Sequence, residues 1–142
     1  MLLGDPDDDA LRMARVPTVP ACARKLPGPK YALSSVLAIF RLASIGRQRA
    51  TRHVVARLGV GEPEAEAFIR QRLAALGPQN YVGTYAMEWD ETIEADVYGV
   101  IDEHGGWYIK FYVEHGRVQV ASFHEPERDL VCVDGTIVKG YL

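Results

Sequence analysis

Trp107-Tyr108-Ile109-Lys110-Phe111-Tyr112-Val113 alternates without a break. Trp107, Ile109, Phe111 and Val113 fall on one side, Tyr108, Lys110 and Tyr112 on the other. A period of two is the signature of a half-buried strand, so the first row is core. The second row puts two phenols and an ammonium on a surface that Thr, Ser or Glu would serve as well. Tyr, Lys and His together can move protons and hold a phosphate. The run Ser122-Phe123-His124 after the turn His115-Gly116 brings a histidine near that row.

The turn decides how near. A two-residue loop at His115-Gly116 pairs Tyr112 with Gln119, Lys110 with Ala121 and Tyr108 with Phe123, and sends His124 to the Trp107 side. It gives the better apolar matching, Val113 with Val118 and Phe111 with Val120. A three-residue loop with Gly116 as a glycine bulge instead places Tyr108, Lys110, Ser122 and His124 on one face. A one-residue slip flips every side chain, and both registers remain open at this level.

From Tyr81 onward the pattern predicts strands near 80–88, 94–102, 106–114 and 117–124, and a further pair at 130–133 and 136–140. His104-Gly105-Gly106, His115-Gly116 and Asp134-Gly135 supply residues that tolerate positive φ. Strands joined so tightly are antiparallel. Upstream lie three helices. The first starts near Ser34 as N-cap, carries Val36, Leu37, Phe40 and Ala43, and stops at Gly46. The second starts near Thr51 and carries Val54, Val55 and Leu58 to Gly59. The third opens on Glu62-Pro63-Glu64 and carries Ala65, Phe68, Ile69, Leu73 and Leu76 to Gly77-Pro78. Helices followed by a meander imply an α+β domain: two to three helices on one face of an antiparallel sheet of about five to six strands. Residues 1–30, broken by Pro6, Pro17, Pro20, Pro27 and Pro29, read as a poorly ordered tail with a short helix around Ala10–Val16. The domain proper is 31–142.

The 142 residues suit one core. No apolar run reaches the roughly 18–20 residues that span a bilayer, so no membrane partner is expected. The acidic opening at Asp5, Asp7, Asp8 and Asp9 has no signal-peptide pattern. Cys22 and Cys132 lack metal-ligand spacing. A cytoplasmic protein with free thiols, no metal and no cofactor is the expectation. The net charge of −3 is unevenly spread: residues 31–77 carry seven arginines against three glutamates, and residues 78–142 four basic against twelve acidic side chains. A basic stretch suits phosphates and an acidic one a basic partner.

Each candidate has a plainer reading. Tyr108 and Tyr112 fit as ordinary strand residues, and Lys110 as a solubilising one. His53 reads as a surface or core-edge residue, His104 and His115 as solvated turn residues. No Gly-rich phosphate loop, nucleophile elbow or metal-binding His pair occurs.

Tyr31-Ala32-Leu33-Ser34-Ser35-Val36, Ala50-Thr51-Arg52, Asn80-Tyr81-Val82-Gly83-Thr84, Ala95-Asp96-Val97-Tyr98, Tyr108-Ile109-Lys110 and Ser122-Phe123-His124 follow one another in an order and spacing that resemble the MqsR-type toxins, within the RelE-like ribonuclease group. The resemblance covers about two-thirds of the chain, residues 31–124. It implies a RelE-like sheet and a metal-independent endoribonuclease, the toxin of a type II toxin–antitoxin pair, with mRNA as substrate and a cognate antitoxin as partner. It implies catalytic Tyr108 and His124, the latter standing where the family has a lysine, with Lys110 beside them. Arg49, Arg52, Tyr112 and Arg128 would hold RNA. Gly83 replaces a family active-site lysine and Ala95 an active-site glutamine. The alternatives are a catalytically inactive protein-binding module on the same fold, or a small-ligand regulatory domain using the Tyr108 and Tyr112 face.

Overall fold

The structure is a computed structural model that describes residues 4–6, 9–15, 28–40 and 48–142. The expected helix stop at Gly46 and most of the expected 1–30 tail lie outside the described residues. In chain order the elements are strands β1 (Gly4–Pro6) and β2 (Asp9–Arg15), helices α1 (Leu33–Phe40), α2 (Gln48–Leu58) and α3 (Glu62–Ala74), a 3₁₀ turn at Pro78–Asn80, and strands β3 (Tyr81–Met87), β4 (Asp90–Asp102), β5 (Gly105–Glu114), β6 (Arg117–His124), β7 (Leu130–Val131) and β8 (Ile137–Val138). The α+β architecture is the one that the sequence pattern predicts.

Two compact units divide the chain, one built on Gly83–Asp96 with the described part of Met1–Lys30, the other on Tyr31–Val82 with Val97–Leu142. In the first, β1 and β2 pair antiparallel, Asp5 opposite Ala10 and Pro6 opposite Asp9. This replaces the short helix expected at 10–16. So few residues are marginal as a helix, whereas strand pairing satisfies the backbone across the ladder. Asp96 is fully buried. Its Oδ1 accepts hydrogen bonds from the Thr84 hydroxyl (2.6 Å) and the Lys30 backbone N–H (3.0 Å), which is how a buried carboxylate is made tolerable.

The second unit holds the helices and the main core. α2 begins before the expected Thr51 because Ala50 and Val54, one turn apart, are both fully buried. It ends at Gly59, whose φ of 68° is left-handed and whose N–H donates to the Val55 carbonyl. In α3 the first turn carries Pro63 with Glu62 and Glu64 at the positive end of the helix dipole. Its buried face, Ala65, Ile69 and Leu73, joins Val36, Val54, Trp107, Ile109, Phe111, Val118, Val120 and Phe123 in one cluster.

The sheet has four strands in the order β3-β4-β5-β6, and β7 and β8 form a separate pair. Five to six strands in one sheet were expected. Two glycines explain the difference. A Cβ on Gly99 would lie 3.1 Å from Val138 and 3.2 Å from Leu130, and one on Gly106 would lie 2.6 Å from Val138. Without side chains at these points, the β7–β8 hairpin lies across strands β4 and β5 instead of extending their edge.

The β5–β6 register resolves the choice left open by the sequence. His115 and Gly116 have φ of 54° and 70°, the backbone of a two-residue type I′ turn. From the turn, Glu114 faces Arg117, Val113 faces Val118, Tyr112 faces Gln119 and Phe111 faces Val120. The register then shifts, and Lys110 faces Ser122, Ile109 faces Phe123 and Tyr108 faces His124. Ala121 is the extra residue of a β-bulge. The two-residue loop and the Tyr108–His124 pairing are both present, joined by that bulge. Its cause is the spacing of apolar residues. Val118 and Val120 point inward, and the next large apolar side chain is Phe123, three residues on. Burying Phe123 is worth about 1.5–3 kcal/mol, against about 0.5–1.5 kcal/mol for a lost ladder hydrogen bond. Removal of Ala121 restores regular pairing while keeping every pair on both sides. The deletion variant is therefore expected to fold with the Tyr108–His124 pairing retained and a stability within about 1 kcal/mol of wild type. Denaturant unfolding and cross-strand amide contacts by NMR check this. Loss of the pairing would refute the account of the bulge.

Candidate active site

The bulge places Tyr108 and His124 side by side at the end of the sheet. Their rings stack at 14° with centroids 5.1 Å apart. His53 comes from α2, its ring nearly perpendicular to that of His124 at 5.3 Å between centroids. On α2 the residues Arg49, His53 and Arg57 recur every four positions and so share a face. His53, Ala56, Arg57, His124, Glu125, Glu127 and Tyr141 line one open cleft of about 400 Å³, within the usual range of ligand sites, about 300–1,000 Å³.

The chemical state of His124 follows from one contact. Its Nδ1 lies 2.8 Å from the backbone carbonyl oxygen of Glu125. A carbonyl only accepts, so Nδ1 carries the proton and donates it. In the neutral ring Nε2 is then a bare lone pair. The neutral form is favoured: burial holds the His124 pKa below its ordinary 6.5, and the His53 and Lys110 charges push the same way, against the Glu125 carbonyl and Glu127. His53 is also lowered, first by burial and then by the Arg49 and Arg52 guanidiniums. Two imidazoles thus stand uncharged in a cleft at neutral pH.

Arg57 is half-buried and fully engaged. It donates to the backbone carbonyls of Gly106 and His104, each at 2.6 Å, and its guanidinium lies 4.2 Å from the centroid of the Trp107 ring. Gly105 permits the approach: its φ is 101°, and a Cβ there would lie 2.9 Å from an Arg57 nitrogen. The Trp107 Nε1–H donates to Asp102 Oδ2 (2.9 Å), the same oxygen that pairs with Arg72 at 2.9 Å. Glu125 lies at the edge of this network, 4.0 Å from Arg57.

The structure places Tyr108 opposite His124 and Lys110 opposite Ser122, with Lys110 half-buried on the same row. Arg49 and Arg52 are exposed on α2 and act electrostatically on His53. Tyr112 is only 6 % exposed, which leaves little of it for a nucleic acid to touch. Arg128 is exposed but does not line the cleft. Ala95 is fully buried, so that position presents nothing to a substrate. The space a side chain would take at Gly83 is filled by the Tyr85 ring, whose oxygen lies 2.7 Å from the site of a Cβ. Arg57 and Tyr141 are cleft residues that the sequence reading does not single out, and His53, read there as a surface or core-edge residue, is a third. The four-residue recurrence of Arg49, His53 and Arg57 was the available signal.

Among the described residues no three His, Cys, Asp or Glu side chains converge closely enough to hold a metal ion, and no helix is long and apolar enough to cross a membrane. No protein-family model and no curated protein matches the chain.

The lowered histidines couple to stability. A base whose pKa is depressed on folding binds fewer protons in the native state than in the unfolded one as pH falls below 6.5. Stability is therefore complete above that pH and is lost as pH drops through the folded-state values. The thermal midpoint is expected to fall between pH 7 and pH 5, and to fall less in His124→Gln. An equal acid slope in that variant would remove His124 as its source.

Proposed function

We propose that this chain is an endoribonuclease that cuts mRNA by attack of a ribose 2′-OH on the adjacent phosphate, and that it acts as the toxin of a toxin–antitoxin pair. The observation that carries the chemistry is the Tyr108–His124–His53 ring cluster, with Nδ1–H of His124 tied to a carbonyl and Nε2 free. The toxin role and the antitoxin partner rest on the resemblance in sequence described above.

In this reading His124 Nε2 accepts the 2′-hydroxyl proton as the oxygen attacks phosphorus. The P–O5′ bond breaks, leaving a 2′,3′-cyclic phosphate and a 5′-hydroxyl. The departing oxygen needs a proton. In the free protein Arg49 and Arg52 help to keep His53 neutral. A bound phosphodiester opposes their charge and raises the His53 pKa, which turns it into a proton donor in the complex. Lys110, close enough to influence His124, supplies positive charge to the phosphorane oxygens. Tyr108 holds the plane of the His124 ring by stacking.

Expression in a bacterial host followed by mapping of new RNA 5′ ends tests this directly, with the purified protein assayed on a synthetic RNA in parallel. Wild type is expected to arrest growth and to give discrete ends. His124→Ala is expected to lose about 10²–10⁴-fold in rate, the usual worth of a general base. Tyr108→Phe keeps the stack and isolates the hydroxyl. Folded wild-type protein that leaves RNA intact, or His124→Ala that cuts as fast as wild type, would sink the proposal.

A further inference from the structure

One wall of the cleft is fastened differently from the rest. His53, Ala56 and Arg57 stand on α2 and His124 at the end of β6, whereas Tyr141 comes from the stretch after β8. Val138, the last residue of β8, is fully buried against the glycines of β4 and β5. Beyond it the chain leaves the core, and Lys139, Tyr141 and Leu142 are exposed. Hydrogen bonds to the loop of residues 126–129 hold this stretch in place. The Tyr141 N–H donates to the Pro126 carbonyl and the Leu142 N–H to the Glu127 carbonyl, each at 3.1 Å. Asp129 accepts from the Gly140 N–H at 2.9 Å and from the Lys139 ammonium at 3.1 Å.

Gly140 makes the seat a close one. A Cβ at that position would lie 2.5 Å from the Arg128 Cα and from the Glu127 carbonyl oxygen. Both are backbone atoms, so a side chain fits only if the two segments part. The bonds themselves are weak singly. The Asp129–Lys139 pair is exposed on both sides, and such pairs contribute little. Backbone bonds at a surface compete with water. A segment with few buried apolar contacts and exposed backbone bonds opens at the low end of the free-energy range. The stretch is therefore shaped to its seat but held by bonds that water can replace, and Val138 anchors the chain just before it. The cleft that it borders, of about 400 Å³, lies toward the small end of ligand sites, and a scissile phosphate carries a nucleotide on either side. We propose that residues 139–142 are a latch on this cleft, that it swings about Lys139–Gly140, and that its release widens the approach to His124. The role in RNA access rests on the ribonuclease reading; the opening itself does not.

Amide hydrogen exchange and histidine modification by diethyl pyrocarbonate, both on the full chain, test the latch without any cleavage. Asp129→Ala removes two of its bonds, and Gly140→Ala forces the segments apart. Each variant is expected to speed exchange at the Tyr141 and Leu142 amides about tenfold, the worth of one hydrogen bond of ordinary strength. Amides of β5 and β6 are expected to keep their wild-type protection, and circular dichroism checks the fold. His124, half-buried, is expected to react with the reagent at least about threefold faster in both variants, as local opening requires. His115, exposed in its turn, serves as the control and keeps its wild-type rate. Cleavage of an unstructured RNA is the third arm, with kcat/KM expected to rise in both variants through a lower KM. Unchanged exchange at Tyr141 and Leu142 in folded Gly140→Ala overturns the latch. Faster exchange with no change at His124 overturns it too. An open latch with equal cleavage by wild type and variants overturns the role in RNA access and leaves the ribonuclease standing. Opening and faster modification of His124 in a protein that cuts no RNA keep the latch and remove the ribonuclease.

Discussion

The site depends on one irregularity in one pair of strands. The turn at His115-Gly116 and the apolar rows of β5 and β6 agree for four pairs and then fall out of step, because Val120 and Phe123 are separated by an odd number of positions. Burial of Phe123 forces Ala121 out of the ladder. Everything beyond the bulge follows. Ser122 and His124 turn to the side of Lys110 and Tyr108, and His124, at the end of an edge strand, reaches a histidine on α2. A regular ladder would have pointed His124 into the core, where an imidazole has no place among Trp107, Ile109 and Phe111. The core and the candidate chemistry are therefore set by the same residue count.

The second constraint is the network around Trp107. Its ring is fully buried, and its indole N–H is satisfied by Asp102, which in turn meets Arg72 of α3. Arg57 of α2 covers the ring and bonds to the backbone on either side of Gly105. Two helices are thus tied to the β4–β5 turn by charged groups that end on fixed oxygens, and such hydrogen bonds are about twice as strong as neutral ones. The consequence for the site is specific. Arg57 borders the cleft but is held by the backbone, so its role there is to fix the wall. Arg49 and Arg52, toward the start of the same helix, are exposed and act on His53.

Much of the fold is legible in the sequence, because period and turn chemistry are local. The alternation from Trp107 to Val113, the Pro63 start of α3 and the glycine turns all mark their elements. What is not legible depends on which elements meet. Nothing local to Gly99 and Gly106 says that a hairpin thirty residues on lies against them. His53 reads as surface and is exposed, but nothing near it in sequence says that its face of α2 points at the end of β6. Tyr141 belongs to the same class, since only the backbone bonds to Pro126 and Glu127 bring it to the cleft. The bulge is the instructive middle case. The inward row of Val118 and Val120 continues at Phe123 and not at Ser122, and this break in parity is present in the sequence for a reader who compares both strands.

The electrostatics of the cleft favour chemistry over simple attraction. A site built only to hold an anion would combine charged side chains with open helix or loop N–H groups. Here the two imidazoles at its centre are kept neutral, one by burial and a carbonyl-bound Nδ1–H, the other by burial and neighbouring arginines. A neutral imidazole attracts no anion, but it accepts a proton, and an imidazole whose pKa is lowered is already in the form that can do so at neutral pH. The same arrangement makes the pair responsive to what enters. An anion placed against His53 would oppose the Arg49 and Arg52 charges and raise that pKa, which in the proposed reaction makes His53 the acid to the base His124. In that proposal two similar side chains take different roles in the presence of the ligand.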